Sequence, residues 1–165
     1  MFPKVFCITT LLASLAAAGM AAGDPTEIER GRYLVAIGGC NDCHSPGYET
    51  LGEAMPESQR LLGAELGFAG PWGVSYPANL RLSVAGLSES AWMNRARAGG
   101  LPPMPWNALR AMSESDLRAL YRYLAMLGPA GQTAPAAVAP GRPVETPYLS
   151  FEPVMPGGGQ TITRH

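Results

Sequence analysis

Cys40-Asn41-Asp42-Cys43-His44 decides how this chain is read. Two cysteines with two residues between them, followed at once by a histidine, have the spacing of a c-type haem attachment site. Each thiol can form a thioether with one haem vinyl group. The histidine then turns beneath the ring and offers an imidazole nitrogen to iron. A thioredoxin-like redox pair and half of a zinc site are the competing readings. A redox pair belongs near a βαβ pattern, and none is legible here. A zinc site needs more ligands, and the remaining cysteine and histidine are Cys7 and His165, close to the two ends of the chain. The pentapeptide is therefore expected to hold one covalent haem c. Cys40 and Cys43 are the expected attachment points, and His44 is the expected axial ligand and metal-binding residue.

The first residues point to export. Lys4 supplies a short positive region, and residues 5–22 are apolar or small, with Leu11, Leu12 and Leu15 in the middle. Gly19, Ala21, Ala22 and Gly23 offer cleavage positions before Asp24-Pro25. This layout predicts a cleaved signal peptide over 1–23 and a periplasmic mature protein. An uncleaved membrane anchor is the rival, but the run falls short of the roughly 20 apolar residues that a span needs. Contact with a membrane is expected only if the leader stays. Cleavage removes Cys7, which leaves Cys40 and Cys43 as the only thiols. A disulfide between them would close too small a loop to stabilise much.

The 165 residues suffice for one domain, and 47% hydrophobic content supports a packed core. A formal net charge of −1 gives no strong pull towards nucleic acid. The only lysine is Lys4, and six arginines fall between Arg81 and Arg122 inclusive.

Helical periodicity appears in three places. Residues 26–37 read as a first helix capped by Thr26, with Glu27 and Glu29 at its positive end. Gly31 within it either lets another helix come close or is an ordinary interior glycine. Residues 88–97 read as a second helix carrying Trp92, Met93, Arg95 and Arg97. Residues 113–127 show the clearest pattern, with Leu117, Leu120, Tyr121, Leu124 and Leu127 on one face and Ser113 with Asp116 resembling a capping box. Between the first two helices, residues 45–75 are rich in glycine and proline, with at most a short helix near 56–62. From 130 onward the chain is rich in Pro, Gly and Ala. It is expected to run extended over the surface through Tyr148, Leu149 and Phe151, and to lose order from Gly157.

Met104 sits in Leu101-Pro102-Pro103-Met104-Pro105-Trp106. Flanking prolines keep it out of a helix and push it towards an extended conformation. Such a loop can hold one thioether still, and soft sulfur opposite histidine suits iron as a sixth ligand. Met104 is the expected second axial ligand. Met55 is too near His44 in sequence to cross the ring, Met93 and Met126 sit in helical patterns, and Met112 and Met155 are the remaining rivals.

Helix, Cys-X-X-Cys-His, loop, helix, methionine loop and terminal helix follow in the order that resembles class I c-type cytochromes. Met104 lies 60 residues beyond His44, which suits that family. Gly70-Pro71-Trp72-Gly73 with Tyr76 and Asn79-Leu80, and then Pro103-Met104-Pro105-Trp106, look like the single-haem modules of periplasmic dehydrogenase cytochrome subunits. The likeness covers roughly residues 26–127. It implies a mostly α fold around one covalent haem, with long loops and an extended C-terminal tail, so that the chain divides into 1–23, 24–128 and 129–165. It also implies that Arg97 faces a haem propionate. Trp72, Tyr76, Asn79 and Trp106 are expected to line the pocket, with Arg81 and Arg95 as further candidates to pair a propionate. Two departures stand out. Ala98 separates Arg97 from Gly99, and Arg81-Leu82-Ser83 replaces the Thr-Pro that usually follows Asn-Leu in these modules.

No base, nucleophile or substrate pocket is legible, so no catalytic residue is assigned. The chain reads as an electron carrier rather than an enzyme, moving one electron between a donor and an acceptor protein, free or as a subunit of a dehydrogenase. A haem enzyme or gas sensor with an open sixth iron position is the alternative, and it requires that Met104 does not bind.

Overall fold

The computed structural model describes residues 24–153. The leader expected over 1–23, with Cys7, and the last residues, with Met155, His165 and the stretch from Gly157, lie outside the described residues.

Helix α1 (Pro25–Ile37) opens the fold. Asp24, not Thr26, is its N-cap: the Asp24 carboxylate accepts from the Thr26 amide at 2.9 Å and the Thr26 hydroxyl at 2.8 Å. Pro25 then occupies the first turn, where its missing N–H costs nothing. The short helix α2 (Cys40–His44) follows directly, entered through Gly39 at φ 61°. Helix α3 (Tyr48–Leu51) and 3₁₀ turns at Gly52–Ala54 and Glu57–Gln59 carry the next loop, so the helix expected near 56–62 is only a single tight turn.

Strands β1 (Gly67–Gly70) and β2 (Gly73–Ser75) form an antiparallel hairpin, with Pro71 and Trp72 between paired Gly70 and Gly73. Gly73 has φ 90°, and a β-carbon there would lie 2.1 Å from the Val138 carbonyl oxygen, so only glycine fits. Helices α4 (Leu80–Ala85), α5 (Glu89–Ala98), α6 (Trp106–Ala111) and α7 (Glu114–Leu127) complete the helical part. Ser113 caps α7 as the sequence predicts, and Ser88 caps α5, each accepting from the amide three residues on. The Asp116 carboxylate pairs with Arg30 rather than closing a reciprocal box.

The fold is mostly α, as expected. Its core is Leu34, Val35, Leu61, Val84, Trp92, Ala96, Leu117, Ala119, Leu120, Tyr123 and Leu124. Helices α1 and α7 pack against each other most extensively. Leu117, Leu120 and Leu124 are almost wholly buried, each contributing about 2 kcal/mol by removal from water. Leu34 joins this cluster, whereas Tyr33 is 52% exposed and stands outside it. After α7 the chain runs extended. Val138 bridges Val74, and strand β3 (Tyr148–Ser150) adds in parallel to β1. Phe151 then packs edge-on against Phe68 at 5.7 Å between ring centroids. Among the described residues no helix is long and apolar enough to cross a membrane.

Candidate functional site

Cys40 and Cys43 are one helical turn apart on α2, and His44 follows Cys40 by four, so the three side chains share one face. Both thiols are free. Cys40 is half-buried, and burial pushes its pKa up to about 11; Cys43 is exposed, yet partial desolvation and then the Asp42 charge raise it too. His44 is buried. Its Nδ1 lies 2.7 Å from the carbonyl oxygen of Ala78, and its Nε2 has no hydrogen-bond partner among the described residues. Burial lowers the imidazole pKa, partly offset by that bond, which favours the neutral ring. A neutral ring that donates from Nδ1 keeps its Nε2 lone pair free for a metal.

Two segments grip this histidine. The His44 carbonyl accepts from the Gly63 amide at 2.9 Å, and Ser45 Oγ accepts from the Leu61 amide at 2.7 Å while donating to Asn41 Oδ1 at 2.8 Å. Residues 61–64 bond onward to residues 77–80: Ala64 N–H to Pro77 O at 3.0 Å and Leu80 N–H to Leu61 O at 3.1 Å. The Ala78 carbonyl lies within this pairing. Among the described residues the buried polar side chains are Asn41, His44, Ser45, Asn79 and Arg81, and all five belong to this frame.

Met104 is half-buried in the turn between α5 and α6. Ser75 Oγ donates to Pro102 O at 2.5 Å, which ties that turn to the end of β2. Ser75 and Ala78 are three residues apart, at most about 10 Å of extended chain. One short segment thus touches the methionine turn at one end and the histidine at the other.

The remaining expected residues, Arg97 excepted, have protein partners for their polar atoms. Asn79 caps α4 through Leu82 N–H at 3.0 Å and donates to Ala130 O and Gln132 O at 2.8 and 3.1 Å. Tyr76 OH meets Thr146 Oγ1 at 2.5 Å, Trp72 Nε1 donates to Phe68 O at 3.2 Å, and Trp106 Nε1 donates to Leu101 O at 3.0 Å. Arg95 donates to Gly99 O at 2.7 Å and lies 4.9 Å over the Trp106 ring. Arg97 is exposed, with no hydrogen bond or ion pair among the described residues. Arg81, a further candidate to pair a propionate, has its donors engaged elsewhere. It is buried, with its guanidinium committed to backbone carbonyls.

Asn41, Ser45 and Ala78 do not stand out in the sequence as site residues. Ser45 adjoins the motif and carries a hydroxyl, which is a usable signal. Ala78 acts through its backbone, which side-chain chemistry does not reveal.

A nicotinate dehydrogenase subunit of Pseudomonas putida is 28% identical over 138 residues, a match that takes in 76% of this chain. This chain spans only 11% of the length of that relative. No family model matches the chain, and no solved structure matches it. The chain is thus distantly similar to part of a dehydrogenase subunit.

Proposed function

We propose that this chain is a single-haem electron carrier of the class I c type. It is exported to the periplasm and moves one electron between redox partners, free or as the electron-transfer subunit of a dehydrogenase complex. The observation that carries the reading is the state of α2. Two free thiols share a face with a buried imidazole whose Nδ1 is already bonded to Ala78. That donor set fits a porphyrin held by two thioethers and one axial nitrogen. It fits zinc poorly, because among the described residues no three His, Cys, Asp or Glu side chains, Cys40, Cys43 and His44 included, are placed to hold one ion.

Haem c, when bound, supplies the one-electron iron couple. The protein's own residues do the rest. Cys40 and Cys43 would hold the porphyrin through two thioethers. His44 presents Nε2, and its Nδ1 bond to Ala78 makes the ring a stronger donor. Met104 would supply its thioether as the second iron ligand, and soft sulfur would favour the reduced metal and raise the potential. Arg97, with no protein partner among the described residues, is the arginine left to pair a propionate. The distant likeness to a dehydrogenase subunit supports an oxidoreductase complex as the setting.

The test is co-expression with a cytochrome c maturation system, followed by denaturation and acid extraction. Haem is expected to stay on the wild-type chain and to be lost from the Cys40→Ala/Cys43→Ala variant. The intact protein is expected to give one reversible one-electron wave. Haem that extracts freely from wild type overturns the reading.

A further inference from the structure

Arg81 is 6% exposed and has no carboxylate partner among the described residues. Its Nε donates to Gly128 O at 2.5 Å, one Nη to Ser58 O at 2.9 Å and the other Nη to Leu127 O. A buried cation without a counter-charge is costly. Here the last carbonyls of α7, which carry the negative end of the helix dipole, compensate it. A planar fork suits three carbonyls on two segments, the end of α7 and Ser58.

The other end of this clamp is the first turn of α4. Asn79 caps that helix, and Ala78 precedes the cap directly. Ala78 is itself exposed, so packing of its side chain does not fix its carbonyl. Its neighbours do so: Pro77 and Leu80 pair with Ala64 and Leu61, Asn79 bonds to Ala130 and Gln132, and Arg81 adds the bonds to the end of α7 and to Ser58.

We propose that Arg81 is a positioning residue for His44. By pinning the start of α4 to the end of α7 it holds the Ala78 carbonyl 2.7 Å from His44 Nδ1, which fixes the ring orientation and leaves Nε2 free. Its relevance to iron rests on the function proposed above; its effect on the histidine does not.

The experiment measures solvent exchange of the His44 Nδ1 proton by NMR in the full chain as isolated, in the reduced state where haem is present. The variants are Arg81→Gln and Ser113→Ala, the second a control that weakens α7 at its far end. Arg81→Gln is expected to speed exchange at least tenfold, with Ser113→Ala near wild type at a comparable loss of Tm. Equal exchange in all three proteins overturns the proposal and leaves Arg81 a purely structural cap. Should Arg81→Gln not accumulate, Arg81→Lys keeps the cation without the fork and gives the same comparison. If the wild-type chain carries no covalent haem, the function above fails, and the exchange comparison on that form still judges Arg81.

Discussion

A β-carbon on Gly31 would stand 2.2 Å from the carbonyl oxygen of Ala119, so α1 and α7 meet backbone on backbone at this pair. The sequence leaves both readings of Gly31 open, and the contact decides for close approach. It gives a substitution of diagnostic sign. In an isolated helix Gly→Ala stabilises by about 1 kcal/mol. Here the methyl also meets Tyr123 Cβ at 2.6 Å. Gly31→Ala is expected to destabilise by about 1–3 kcal/mol, as overpacking does. Urea unfolding should show a lower midpoint with an unchanged slope. A variant as stable as wild type means that the two helices can part without cost.

The long helices are legible in the sequence because each repeats its apolar period over several turns and begins at a side chain that caps it. Ser88 and Ser113 mark the starts of α5 and α7 correctly. Asp24 displaces Thr26 as cap of α1 because its carboxylate takes both Thr26 donors. Helices α4 and α6 have six residues each, too few to display a period. The β1–β2 hairpin is short and glycine-rich, and β1 gains its second neighbour from the distant Tyr148–Ser150. The cysteine–histidine motif is legible because its geometry is local. Its frame is not: Ala78 is 34 residues from His44 and contributes only a carbonyl. Arg81 draws notice for its charge, which in the fold serves three backbone oxygens.

Acid should weaken the α1–α7 pairing through Asp116. Its hydrogen bond with Arg30 holds the carboxyl below the usual aspartate value, with the Ser113 bond acting in the same direction against slight desolvation. A depressed folded-state pKa contributes stability that is complete above the unfolded value and is lost as pH falls through the folded one. Arg30 is about half exposed and screened by solvent, so the effect should be small. Asp116→Asn is expected to lower Tm at neutral pH and to converge on wild type in acid. Parallel Tm curves for the two proteins across that range would contradict the assignment.

The tail should matter to the hairpin more than to the helices. Val138 bridges Val74, Thr146 meets Tyr76, and Phe151 packs on Phe68 and Trp72. Deleting residues 133–165 removes these contacts and leaves the α1–α7 core untouched. A loss of about 2 kcal/mol is expected from the apolar area exposed. Limited proteolysis should then cut within residues 67–75 while α7 stays protected. Unchanged protease resistance of the hairpin would show that the tail is not its cover.

Met104 tests the sixth position of the proposed haem iron. Its turn is held by bonds that do not involve the thioether: Ser75 Oγ to Pro102 O, Trp106 Nε1 to Leu101 O, and Trp106 N–H to Met104 O at 2.9 Å. Replacing a half-buried methionine by alanine should therefore cost only about 1 kcal/mol of stability. If haem is bound as proposed, the effect on its iron should be much larger. Met104→His is expected to keep the metal six-coordinate and low-spin while lowering its potential, because nitrogen favours Fe(III) more than sulfur does. Met104→Ala is expected to abolish the methionine–iron charge-transfer band and to open that face to added ligands. A Met104→Ala protein that keeps both the band and the potential of wild type removes Met104 as ligand. Met55 is buried beside Gly47, and Met93 and Met126 lie within helices α5 and α7, which leaves Met112 and Met155 as the next substitutions to make. Met112 also touches the core, so its replacement should lower stability as well as potential, a pairing of effects that Met104→Ala should not show.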